Sequence, residues 1–164
     1  MVIFQVVGYK KSGKTTLVSK LIKHFKKDGF KVASLKHHGH GGPPDSLPGT
    51  DSYKHGEAGA IMTGVVGGGN FQLSINQEEW PLQKMIEFYR LIEVDVLIIE
   101  GFKKASYDKV VLIRDEEDLP LIGEVDNVLA VASFHSLAES TTNLPYFLIN
   151  ESEDLYKWLK DTLF

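Results

Sequence analysis

Gly8-Tyr9-Lys10-Lys11-Ser12-Gly13-Lys14-Thr15 has the form G-x-x-x-x-G-K-[ST] and stands where a first strand hands over to a first helix. The two fixed glycines let the backbone curl so that successive N–H groups point inward, and the following helix turns the positive end of its dipole to the same point. Such a cage recognises phosphate before any particular base. Gly8, Lys10, Lys11, Ser12, Gly13, Lys14, Thr15 and Thr16 form the candidate binding loop. Lys14 is placed to reach β- and γ-phosphates, and the Thr15 hydroxyl to ligate a magnesium ion that also holds phosphate oxygens.

The flanking residues give the motif its context. Before it, Val2-Ile3-Phe4-Gln5-Val6-Val7 is a nearly unbroken apolar run, as a buried parallel strand requires. After it, Leu17, Val18, Leu21, Ile22 and Phe25 recur at helical spacing, lysines occupy the remaining face, and Gly29 marks the stop. Residues 31–36 read as a second strand, which completes a right-handed crossover unit with its site at the carboxyl ends of the strands. The expected fold is α/β: a P-loop NTPase-like, mostly parallel sheet flanked by helices, with an added β-hairpin, in one domain over residues 1–164.

Bulk composition excludes several classes. With 164 residues, 43% hydrophobic and 24% charged, the chain is of ordinary globular type. A net charge of -4 argues against a general nucleic-acid surface. The apolar runs are too short to span a bilayer, so no membrane partner is expected. The absence of cysteine removes disulfides and thiolate metal sites. Nothing at the N-terminus reads as a signal peptide, and a cytoplasmic location is inferred.

A second stretch that carries chemistry is Val94-Asp95-Val96-Leu97-Ile98-Ile99-Glu100-Gly101. An apolar strand ending in an acid delivers a carboxylate beside a phosphate loop, where it can hold magnesium or a metal-bound water. Glu100 is therefore the metal candidate together with Thr15, and a catalytic candidate. Asp95, at the strand's other end, lies roughly 16 Å away at strand rise. Phe102-Lys103-Lys104 carries charge to the same rim.

The run His37-His38-Gly39-His40-Gly41-Gly42-Pro43-Pro44-Asp45 reads as a loop at the nucleotide's end of the sheet. Its histidines lack the spacing and companions of a zinc site, whereas Lys36, His37 and His38 sit where they can approach phosphate or a polar substrate. Thr50 or Asp51 caps a short helix; Asp51 is equally a candidate for orienting magnesium or its water, and a catalytic candidate. Residues 60–66 and 70–75 read as a hairpin around Gly67-Gly68-Gly69, with an edge open to self-association. Helical spacing over 80–92 places Leu82, Met85, Ile86, Tyr89 and Leu91 in the core. Further strands are expected at 109–113, 128–132 and 146–149, then a closing helix capped by Asn150 or Ser152, while 114–118 reads as a charged solvated loop.

Taken in order, G-Y-K-K-S-G-K-T-T, L-K-H-H-G-H, P-G-T-D-S-Y, A-G-A and D-V-L-I-I-E-G-F-K resemble the MobB family, the molybdopterin-guanine dinucleotide biosynthesis protein B, over essentially the whole chain. The resemblance implies a homodimeric GTP-binding protein with weak GTPase activity that partners the guanylyltransferase MobA when GMP is attached to molybdopterin. It further implies that the loop from Gly8 to Thr16 binds GTP phosphates, that Thr15 and Glu100 serve Mg2+, and that the hairpin is the dimer element. No N-K-x-D guanine-reading motif is present, so GTP follows from resemblance alone; Ser133 and Asn150 are the positions to test for base reading. P-loop proteins with a signature lysine after the first glycine would carry it at position 9, where this chain has Tyr9, leaving Lys10 and Lys11 as substitutes. The competing reading is a P-loop small-molecule kinase with Asp51 as its base. Arg90 and Arg114 are the only arginines, too few for an arginine-rich lid.

Overall fold

The computed structural model describes residues 1–38, 48–136 and 142–164. The chain runs β1 (Val2–Gly8), α1 (Lys14–Lys27), β2 (Val32–Lys36), α2 (Asp51–Glu57), β3 (Met62–Gly67), β4 (Asn70–Ile75), α3 (Leu82–Leu91) and β5 (Val96–Glu100). It continues through β6 (Lys109–Ile113), α4 (Leu121–Glu124), β7 (Val128–Ser133), β8 (Tyr146–Leu148) and α5 (Ser152–Leu163). By packing it divides into two compact units, Met1–His37 with Phe88–Phe164, and His38–Glu87.

The larger unit is built on a six-stranded sheet in the order β2-β5-β1-β6-β7-β8, every pairing of which is parallel. Strand β1 lies inside this sheet and is covered on both faces, which is why its sequence is apolar almost without alternation. Phe4 and Val6 join Leu17, Leu21 and Phe25 of α1 and Leu155 and Leu159 of α5 in one cluster, whereas Val7 joins Val111, Val131 and Leu121 in another. Two helices on one face and a short helix on the other thus hold the sheet whose carboxyl edge carries the phosphate loop.

Helix α1 begins at Gly13, with no side-chain cap and no acidic residue in its first turn, and ends with His24, Lys26 and Lys27. That charge pattern complements the helix dipole at its C-terminus and leaves the N-terminal N–H groups for an anion. At the other end Gly29, with φ 88°, turns the chain out of the helix. Asp28 there accepts from the Tyr156 hydroxyl and, at 2.7 Å, from Lys160, tying α1 to α5.

The smaller unit contains α2, the antiparallel β3–β4 hairpin and the start of α3. Gly68 and Gly69 take φ values of 55° and 79°, the pair of left-handed residues that suits a two-residue hairpin turn. The α2 cap is Thr50, which accepts from the Tyr53 N–H, while Asp51 pairs with Lys54 at 3.0 Å.

Several expectations need correction. In α3 only Ile86 is buried; Leu91 is 79% exposed, because the helix turns a single narrow stripe inward. Tyr89 is held instead by its hydroxyl, which donates to the Ser34 carbonyl. The N-cap of α5 is Glu151, without a side-chain bond; Asn150 lies in a 3-10 turn over Ile149–Glu151. Part of the acidic run also forms a 3-10 turn, Glu116–Asp118, and the four-residue α4 that follows was missed because it is shorter than the period that reveals a helix. Among the described residues no helix is long and apolar enough to cross a membrane.

Candidate nucleotide site

The phosphate loop leaves β1 at Gly8 and enters α1 through Gly13, whose φ of 91° only glycine adopts cheaply. Lys11 holds φ 62°, a left-handed non-glycine residue at the turn of the loop. Lys10 and Lys11 are exposed, Ser12 is buried, and Thr15 and Thr16 are exposed at the helix start. Among the described residues the Ser12 hydroxyl has no hydrogen-bond partner; it lies against Gly8, where an added Cβ would stand 2.5 Å from it.

Lys14 turns into the loop, its Nζ donating to the Tyr9 carbonyl at 2.5 Å. Burial lowers its pKa, Glu100 opposes that shift, and Lys103 and Lys36 reinforce it. An ammonium in this position lacks a full counter-charge, which an anion in the loop would supply. Lys103 stands over the Tyr9 ring, 3.9 Å from its centroid, and the Tyr9 hydroxyl donates to Glu124 at 3.1 Å. A cation from the segment after β5 thus stands at the rim of the loop. Tyr9 itself serves as its platform.

Glu100 ends β5 next to β1, and its side chain is 8% exposed. The Thr15 hydroxyl reaches both carboxylate oxygens, at 2.9 and 3.0 Å. Lys36, paired with Glu100 in strand register, brings its Nζ to 3.2 Å from Oε1 and 3.1 Å from the Thr15 oxygen. A hydroxyl and a carboxylate converging on one cation form the hard-oxygen donor set that suits Mg2+, which completes its shell with water and phosphate oxygens. Among the described residues there is no cluster of three His, Cys, Asp or Glu side chains able to hold a metal by themselves, so this pair is the candidate.

The corner after β5 was only partly legible in the sequence. Gly101 and Phe102 both have positive φ, 94° and 54°, and Gln5, buried inside β1, clamps their two carbonyls through its amide at 2.7 and 2.8 Å. A polar residue in an otherwise apolar strand was the available signal. His37 donates its N–H to the Glu100 carbonyl and packs its ring on Phe102 at 4.7 Å. On the other side Phe134, just past β7, lies against the loop: a Cβ on Gly13 would stand 2.5 Å from its ring.

Asp51 belongs to the smaller unit and is engaged by Lys54. Asp95, at the far end of β5, accepts from the Lys31 N–H. The Ser133 hydroxyl is committed to the His135 carbonyl and the Tyr146 hydroxyl, and Asn150 is exposed in its turn. His40 and most of its loop lie outside the described residues.

A parallel sheet with a phosphate loop between β1 and α1, and an acid closing the adjacent strand, defines a P-loop NTPase-like protein. The family model described as "Molybdopterin guanine dinucleotide synthesis protein B", MobB, matches residues 3–134, and the chain belongs to that family. It is 44% identical over 130 residues to the "Probable molybdopterin-guanine dinucleotide biosynthesis adapter protein" of Bacillus subtilis (strain 168), covering 79% of this chain and 74% of that protein. The Haemophilus influenzae protein named "Molybdopterin-guanine dinucleotide biosynthesis adapter protein" is 30% identical over 94% of this chain and 87% of its own. The crystal structure of Bacillus subtilis MobB superposes with a TM-score of 0.84 at 36% identity, over 100% of this chain and 99% of that one.

Proposed function

We propose that this protein is a GTP-binding accessory protein of molybdenum cofactor biosynthesis, acting in the cytoplasm beside the guanylyltransferase MobA in the step that joins GMP to molybdopterin. Membership of the MobB family supports the pathway. The observation that carries nucleotide binding is the convergence of Lys14, Thr15, Lys36 and Glu100 at one end of the sheet. In this reading the N–H groups at the start of α1 and the Lys14 ammonium hold the phosphates, while Thr15 and Glu100 hold Mg2+. When bound there, Mg2+ would supply positive charge that offsets that of the phosphates.

Hydrolysis is expected to be slow. No glutamine or arginine is identifiable as a group that positions water or stabilises the developing charge, and an arginine supplied for that purpose is worth roughly 10³–10⁵ in rate. The functional product is then the loaded protein, presented to a partner. Titration calorimetry tests this reading. GTP with magnesium should bind more tightly than ATP with magnesium, and Glu100→Gln should lose the magnesium-dependent part of GTP affinity while melting like the parent. Equal affinity for the two triphosphates would remove the guanine assignment, and an unchanged magnesium response would reassign Glu100 to a structural role.

A further inference from the structure

Lys36 lies outside the phosphate-loop motif, yet its ammonium sits between the two groups assigned to the metal. It is 3.2 Å from Glu100 Oε1 and 3.1 Å from Thr15 Oγ1. We propose that Lys36 is a resident counter-ion of Glu100 that competes with a divalent cation for the Thr15–Glu100 pair and, once displaced, pairs with the terminal phosphate of a bound triphosphate. The inference rests on the nucleotide-site reading above and adds a coupling to it.

The geometry supports each part. A magnesium ion binds oxygen ligands at about 2.1 Å, so an ion on the Thr15 hydroxyl and the Glu100 carboxylate would meet the ammonium at a distance where like charges repel. One of the two must leave. The Lys36 side chain is 57% exposed and that of Glu100 is 8% exposed, so the ammonium swings on its flexible stem while the carboxylate stays. It cannot go far, because Lys36 is fixed in strand register beside Glu100. The anion within reach is the one the phosphate loop holds next to Lys14, since Lys36 already touches Thr15, the residue that follows it.

Metal and terminal phosphate are then linked through one side chain. With no terminal phosphate to receive it, Lys36 returns to Glu100 and resists the metal; with one, the competition is lifted. Linkage makes the effect reciprocal. Through Lys36 a triphosphate therefore binds with its metal several-fold better than a diphosphate does.

The test uses the full chain and Mn2+ as a spectroscopic probe, counting free ion by electron paramagnetic resonance, first with no nucleotide and then with GTP or GDP. Lys36→Met and Lys36→Gln, both at a half-exposed site, should bind Mn2+ alone about fivefold more tightly than the parent, the scale set by loss of one ion pair. The ratio of GTP to GDP affinity in Mn2+ should fall by a similar factor in both variants, and Lys36→Arg, which keeps the charge, should bind Mn2+ alone like the parent. Unchanged Mn2+ affinity in the two neutral variants, or an unchanged GTP-to-GDP ratio, would overturn the proposal and leave Lys36 as a surface ion pair. Failure of the parent to bind any nucleotide would instead overturn the nucleotide-site reading, and the Mn2+-only titrations would still judge the competition.

Discussion

Gly13 has two constraints at once: φ is 91°, and a Cβ would stand 2.5 Å from the Phe134 ring. The torsion alone disfavours an L side chain by about 1–2 kcal/mol. The contact adds to that only as far as the ring cannot move. Gly13→Ala is expected to melt roughly 2–8 °C lower from the torsion alone and to lose phosphate binding, since the curl of the loop is the binding device. Adding Phe134→Ala should recover the part due to the contact and leave the part due to torsion; thermal melts of both variants and the single Phe134→Ala separate the two. If the pair melts no higher than the effects of the two single changes combined, the ring is not the limiting neighbour. The glycine was legible from the motif, but its aromatic neighbour was not, because that contact depends on β7 lying one strand beyond β6 from β1. Lys36 and Glu100 each stand out in the sequence at a strand end. Their contact was invisible for the same reason, since only the observed order puts β2 beside β5.

At the scale of elements, the α1–α5 tie has a defined pH dependence. Hydrogen bonds from Lys160 and Tyr156 hold the Asp28 carboxyl below the usual carboxylate range. A depressed folded pKa gives stability that is complete above the unfolded value and is lost as pH falls through the folded one. Asp28→Asn should therefore lower the urea midpoint at neutral pH and make little difference in strong acid; a constant gap between the two proteins across that range would contradict the assignment. Strand and helix identities were legible wherever a period ran long, as in β1, α1 and β5. They were not legible in α4, too short to show one, nor in α3, where apolar spacing overstated burial: Leu91 fits the stripe and is exposed.

Taken whole, the chain combines a sheet that carries the loop with a hairpin unit whose apolar residues remain open. Val66 is 79% exposed and Phe71 69%, and these residues are cross-strand partners in β3–β4. A two-stranded hairpin is marginal alone and presents free edges, so we propose that a second copy of this chain covers it. Light scattering should give twice the chain mass for the parent and a shift towards the single-chain mass for Val66→Lys; a parent of single-chain mass at all concentrations would contradict the dimer.

The central claim is that the curled segment between β1 and α1 is an anion cage closed by the Lys14 ammonium. Its most direct measurement is calorimetric titration of GTP with magnesium into the parent and into Lys14→Ala, with folding of both confirmed by thermal melt. The account predicts saturable binding to the parent and none detectable to a folded Lys14→Ala. Equal binding by the two proteins, or no binding to the parent, would contradict it.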